Sequence, residues 1–249
     1  MKITRAVVPS LFTVLNMFCG FLSITKSSER DFETACWFII IASIFDSLDG
    51  LMARLTKTSS EFGVEIDSLS DVVSFGVAPA FLVYQISLFK FEVWGILISS
   101  LLMIMGGIRL ARFNVQLVGF DKDYFTGLPI PASALFIVTF ILNYFDGNAI
   151  SLIAEKFLIP IVILSSLLMV SKVKYETMPK FNRQDSRQRP LKIIGFIAAA
   201  ILIIFSKGKA AFYILTAAIL LGVFRHLISI YKTEHLAEKP EEDVSSLDT

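Results

Sequence analysis

Histidine and cysteine are close to absent, with two of each in 249 residues. Cys19 and Cys36 lie inside apolar stretches without metal-ligand spacing, so they read as small buried apolar side chains and say nothing of redox compartment. His226 sits among apolar residues and His235 in a polar tail; neither is assigned to catalysis. No histidine or cysteine has the spacing of a metal-ligand motif. Charge is scarce as well: 18% of residues are Asp, Glu, Lys or Arg, against roughly 25% in soluble domains. The segment Met1 to Ser10 carries no small-residue cleavage pattern, so the apolar stretch after it reads as a retained helix, not a secretory signal. No internal repeat stands out.

What is present is hydrocarbon. Apolar residues make up 55% of the chain, and the mean hydropathy is +0.69. Apolar stretches recur near the ~20 residues that a helix needs to cross a bilayer. Eight can be drawn, at 9–26, 33–53, 68–89, 93–112, 130–145, 156–173, 191–206 and 209–231. The expected fold is therefore an all-α, polytopic membrane bundle of about eight transmembrane helices. A single membrane-embedded domain is expected over 1–232, with a charged, flexible tail over 233–249. With the N-terminus in the cytoplasm, 17 of the 23 Lys and Arg fall in cytoplasmic segments and 6 outside. That bias predicts both termini inside a cell (inner) membrane. The basic stretch Lys172 to Lys192 sets topology and meets anionic lipid; no nucleic-acid partner is expected.

Against this background four carboxylates stand out, in the pattern D-x-x-D-G-x-x-A-R-x8-G-x-x-x-D-x-x-x-D. Carboxylates beside hydrocarbon are costly and mark function by default. Asp46 and Asp49 are three apart near the inner end of the second span, and Asp67 and Asp71 four apart at the start of the third. Each pair shares a helix face, and a hairpin of the two spans brings the pairs together. The resulting all-oxygen site suits Mg²⁺ or Mn²⁺. Gly50, Ala53 and Gly63 remove side chains where a ligand would approach the backbone. Arg54 can reach phosphate oxygens with its fork of donors, and Ser60 can add a hydrogen bond. Two metals about 4 Å apart would bind a diphosphate and stabilise its leaving oxygen. Structural salt bridging and a divalent-cation pathway are the competing readings of the same acids.

The stretch from Asp46 to Asp71 resembles the signature of the CDP-alcohol phosphotransferases at every fixed position. The resemblance implies that family's fold, and a nucleotide-activated lipid or alcohol bound through two metals. It implies that Asp46, Asp49 and Asp67 are ligands and that Asp71 is both ligand and general base. Gly50, Arg54 and Ser60 occupy positions associated in the family with the nucleotide-diphosphate donor. A homodimer is implied too.

Three further stretches resemble one branch of that family, the integral-membrane phosphatidylserine synthases. They are Pro9 to Gly20, Arg109-Leu110-Ala111-Arg112-Phe113-Asn114, and Phe125 to Ala132. The branch implies transfer of a phosphatidyl group from CDP-diacylglycerol to the hydroxyl of L-serine. Thr13 and Asn16 would contact the donor head on this resemblance, or hydrogen-bond between helices on the plainer reading. Arg109 and Arg112 share a face; with Asn114 they would bind donor phosphates or the serine carboxylate, or simply anchor the inner end of the span. Gly127, Pro129 and Pro131 either shape the pocket or start a helix. Other acceptors, glycerol 3-phosphate or an inositol phosphate, remain open.

Overall fold

The computed structural model describes residues 7–56, 61–117, 125–147, 149–175 and 209–237. Helices α1 (Val7–Ser28) and α2 (Phe32–Thr56) form the most extensively packed pair. Their turn is built locally. Arg30 takes a left-handed φ of 62°, Asp31 N donates to Lys26 O at 3.0 Å, and Asp31 Oδ1 accepts from Thr34 N at 3.3 Å to cap α2. Helix α3 (Glu61–Asp71) continues through a π-helical segment, Val72–Val77, into α4 (Ala78–Ile86). A 3₁₀ turn at Leu88–Phe91 leads to α5 (Glu92–Leu117), followed by α6 (Ile130–Tyr144), α7 (Leu152–Val170) and α8 (Lys209–Ala237). Two-residue strands β1 (Phe125–Thr126) and β2 (Lys174–Tyr175) pair antiparallel, Phe125 opposite Tyr175, and join the entry to α6 with the exit from α7.

Seven of the eight expected spans thus have a helix at their place; the span at 191–206 lies outside the described residues, as do most of the basic stretch and positions 238–249. Helix ends differ from the hydropathy reading by several residues in places: α5 runs on to Leu117 past the expected 112, and α7 begins at Leu152 before the expected 156. The third rod begins at Glu61, seven residues before the expected 68, because Glu61, Glu65 and Asp67 are helical yet too polar to register as hydrocarbon. Helix α8 runs to Ala237, past the expected end of the span at 231 and into the tail expected over 233–249, for the same reason: polar residues continue a helix that has left its apolar part.

The distribution of apolar side chains is that of a membrane bundle. Ile39, Phe75, Leu82, Leu102, Ile137, Leu158 and Met169 fill the interior, while Phe18, Phe21, Trp37, Ile44, Trp94, Phe157, Leu167 and Phe224 stand exposed on the outside. A soluble protein rarely leaves so much hydrocarbon uncovered. Five described helices are long and apolar enough to cross a bilayer: Phe32–Ala53, Phe62–Ile86, Leu88–Val115, Leu152–Val170 and Lys209–Ser229. Ile130–Tyr144 is a shorter apolar helix. The protein is an integral membrane protein. Helix–helix contacts use small residues, with Ala35, Cys36 and Ala42 fully buried on one side of α2.

Candidate active site

Helix α1 is the common neighbour of the two acidic helices. It packs against both α2 and α3, whereas α2 meets the third rod chiefly through the π segment and α4. The expected hairpin of acids is therefore assembled around α1. Side-chain oxygens of Asp46, Asp67 and Asp71 lie within 4.8 Å of one another. Asp71 is buried and the other two are half-buried. Asp49, also buried, accepts a hydrogen bond on Oδ2 from Thr13 Oγ1. Asn16 Nδ2 donates to Asp71 Oδ1 at 3.4 Å. Two residues of α1 thus each hold one carboxylate, on α2 and α3 respectively.

Three carboxylates this close repel one another unless a cation intervenes. The Arg109 guanidinium is within electrostatic reach of Asp71, but one cation among the described side chains does not balance four acids. Oxygen ligands at this spacing can share a hard divalent ion, and no softer ligand contributes to the cluster. The residues therefore fit a divalent metal. Two buried polar atoms add to the picture: Asn16 Oδ1 and Arg109 Nε have no hydrogen-bond partner among the described residues. Both belong to side chains that face the acidic cluster, the places where a polar ligand would supply the missing partner.

The two arginines part company. Arg112 Nη1 donates to Val170 O at 2.8 Å and closes the C-terminal end of α7. Asn114 Nδ2 donates to Ser68 Oγ at 2.9 Å, tying α5 to α3 one residue from Asp67. Of the small residues in the motif, Gly50 is exposed and Ala53 and Gly63 are half-buried. The Arg54 side chain and Ser60 lie outside the described residues. Gly127 has φ of +86°, a conformation that favours glycine, and its N donates to Val173 O at 2.8 Å. Pro129 then caps α6 and Pro131 lies in its first turn, so this stretch serves as a helix start.

Sequence reading missed two serines. Ser70 Oγ donates to Thr13 O at 3.0 Å and Ser74 Oγ to Asn16 O at 2.8 Å. The available signal was their four-residue spacing beside Asp67 and Asp71.

The sequence pattern of a family described as CDP-alcohol phosphatidyltransferase matches residues 6–170, from the start of α1 to the end of α7. The protein belongs to this family. Among family relatives, a CDP-diacylglycerol–serine O-phosphatidyltransferase of Helicobacter pylori (strain ATCC 700392 / 26695) is 36% identical over 230 residues, 90% of this chain and 92% of the relative. One of the same name from Methanocaldococcus jannaschii is 38% identical over 220 residues, covering 86% and 92%. An archaetidylserine synthase of Methanothermobacter thermautotrophicus is 42% identical over 177 residues, covering 70% and 72%. The matched region of this family member contains the whole acidic cluster and both arginines.

Proposed function

We infer that this protein is a CDP-diacylglycerol–serine O-phosphatidyltransferase. It transfers a phosphatidyl group from CDP-diacylglycerol to the hydroxyl of L-serine, releasing CMP and making phosphatidylserine. The observation that carries the chemistry is the convergence of Asp46, Asp67 and Asp71. The acceptor rests on the relatives named for serine, similar along nearly the whole chain.

Asp46, Asp49, Asp67 and Asp71 would hold the divalent ions, Mg²⁺ or Mn²⁺ and two per site in this reading. Bound there, the metal supplies charge neutralisation for the diphosphate and for the departing CMP. The chain's own residues do the rest. Asp71 takes the proton from the serine hydroxyl as that oxygen forms a bond to the β-phosphorus, the one bearing diacylglycerol. The bond from the β-phosphorus to the bridging oxygen breaks, and the electron pair leaves with CMP. Gly50, Ala53 and Gly63 let the diphosphate approach the helices, and Arg54 and Ser60 add donors to it. Thr13 and Asn16 would meet the donor head in this reading.

Arg109 is the residue we assign to the serine carboxylate. Its Nε is buried without a partner among the described residues, whereas Arg112 already serves Val170 O and Asn114 serves Ser68. An unpartnered Nε can donate to one carboxylate oxygen. A phosphorylated acceptor carries more negative charge and would call for both arginines. The Lys and Arg bias supports an active site and both termini on the cytoplasmic side of the cell membrane, with acyl chains of the donor reaching sideways into the bilayer. The working unit in this reading is a homodimer.

The test is purified protein in nanodiscs with CDP-diacylglycerol, Mg²⁺ or Mn²⁺, and a panel of alcohols. CMP release with L-serine but not with glycerol 3-phosphate or an inositol phosphate is the expected result. No CMP with any alcohol under metal-replete conditions overturns the reading. Asp71→Asn is expected to lower turnover by about 10²–10⁴-fold, the usual contribution of a general base, while the variant still binds donor. An arm with CDP-archaeol reports whether the donor carries ester or ether chains, a question raised by the archaetidylserine synthase relative.

A further inference from the structure

We propose that Ser70 and Ser74 are positioning residues of the metal site, acting through Thr13 and Asn16 of α1. The inference rests on the metal-site reading above and adds to it the device that holds the ligands in place.

Four hydrogen bonds make the case. Ser70 Oγ donates to the backbone O of Thr13 at 3.0 Å, and the Thr13 hydroxyl donates to Asp49 Oδ2. One turn along, Ser74 Oγ donates to the backbone O of Asn16 at 2.8 Å, and the Asn16 amide donates to Asp71 Oδ1. The same two residues of α1 are thus gripped by their carbonyls and grip carboxylates with their side chains. Ser70 adjoins Asp71 in sequence, so α3 and the π segment fix α1, and α1 returns the constraint to α2 and α3. All four residues, Thr13, Asn16, Ser70 and Ser74, are buried.

The arrangement solves a specific problem. The acids come from two helices that make little direct contact with each other, and without cations they cannot all be ionised at this spacing without repulsion. A ligand set held only by mutual repulsion would spread, and each ion would have to draw it together on binding. Serine hydroxyls bonded to carbonyls of α1 fix the register of α3 against α1, and Thr13 fixes Asp49 to the same frame. Hydrogen bonds to ligating groups are the usual means of holding a ligand's orientation.

The experiment measures Mn²⁺ binding to purified protein in nanodiscs without donor lipid, by loss of the free Mn²⁺ signal in electron paramagnetic resonance. The variants are Ser70→Ala/Ser74→Ala, Thr13→Val and Thr13→Ser, with thermal unfolding in EDTA measured alongside. The expected result is Mn²⁺ affinity weakened by about 10- to 100-fold in the double variant and in Thr13→Val, the range for loss of such outer contacts. Thr13→Ser, which keeps the hydroxyl, retains wild-type affinity. A merely structural role would lower the unfolding temperature in EDTA and leave Mn²⁺ affinity alone; that result overturns the proposal. Should the double variant fail to fold, the Thr13 pair decides: equal affinity in Thr13→Val and Thr13→Ser overturns it. Wild-type protein that binds no Mn²⁺ refutes the metal-site reading itself, a distinct failure.

Discussion

Replacing Gly20 with alanine puts a methyl carbon 2.7 Å from Ser74 Cα. Carbon atoms rest at about 3.5–4.0 Å, so α1 and the π segment would have to separate by about 1 Å at this point. Backbone cannot swing aside as a side-chain tip can, and overpacking of this kind costs about 1–3 kcal/mol. Alanine is otherwise the better helix former by about 1 kcal/mol, so any net loss of stability reports the clash. The same retreat reaches the site. Asn16 lies one turn from Gly20, and its bond to Asp71 is already 3.4 Å long, beyond the usual 2.7–3.2 Å range for N–H···O bonds. A further stretch breaks it. Misplacement of a reacting group by 1 Å can cost about 100-fold in rate, which sets the scale expected for Gly20→Ala in a CMP-release assay. Gly107→Ala is the control, since a Cβ there meets nothing within 4 Å; it should keep activity and keep or raise the unfolding temperature. Wild-type turnover and stability in Gly20→Ala would show that α1 does not set the geometry of the acids.

Arg109→Gln should raise the KM for serine more than it lowers the unfolding temperature, and steady-state kinetics with a serine titration checks this; an unchanged KM removes Arg109 from the acceptor site. Arg112→Gln should show first in thermal unfolding, because it strips the 2.8 Å bond to Val170 O at the end of α7; a charged hydrogen bond of this kind is worth about 1.5–3 kcal/mol. Glu155→Gln breaks the 2.6 Å pair with Lys90, whose side chain is 53% exposed, so it should cost about 0.2–1 kcal/mol. The pair joins the turn before α5 to α7 at the end of the bundle away from Asp71, so CMP release should not change; a large loss of activity would contradict that placement.

The helices were legible where composition and periodicity agree. Residues 130–145 and 93–112 were expected as spans, and α6 and α5 run Ile130–Tyr144 and Glu92–Leu117. Helix ends were less so, because hydropathy reports the extent of hydrocarbon while hydrogen bonding decides the extent of helix. Glu61 to Asp67 is helical without being apolar, and Arg30 ends α1 by a left-handed turn that an arginine does not announce. The π segment Val72–Val77 has no sequence signature either. Its position directly after Asp71 follows the tendency of such segments to occur at functional sites.

The acids were legible as a cluster, and the reason their contacts differ lies in the angle between them. At 100° per residue, Asp67 and Asp71 differ by about 40° around α3, whereas Asp46 and Asp49 differ by about 60° around α2. The wider angle lets Asp46 face Asp67 and Asp71 while Asp49 turns toward α1 and meets Thr13. Arg109 and Arg112 are separated by the same three residues, and the structure divides them likewise, one toward Asp71 and one toward Val170 O. A three-residue spacing therefore means one broad side of a helix and two neighbours. Which neighbour each residue meets depends on the helices packed beside it. In this chain the deciding helix is α1, whose Thr13 and Asn16 look from sequence like ligand contacts or helix glue. Holding a carboxylate within a helix interface makes them the second without removing the first: Asn16 keeps one oxygen buried without a partner among the described residues.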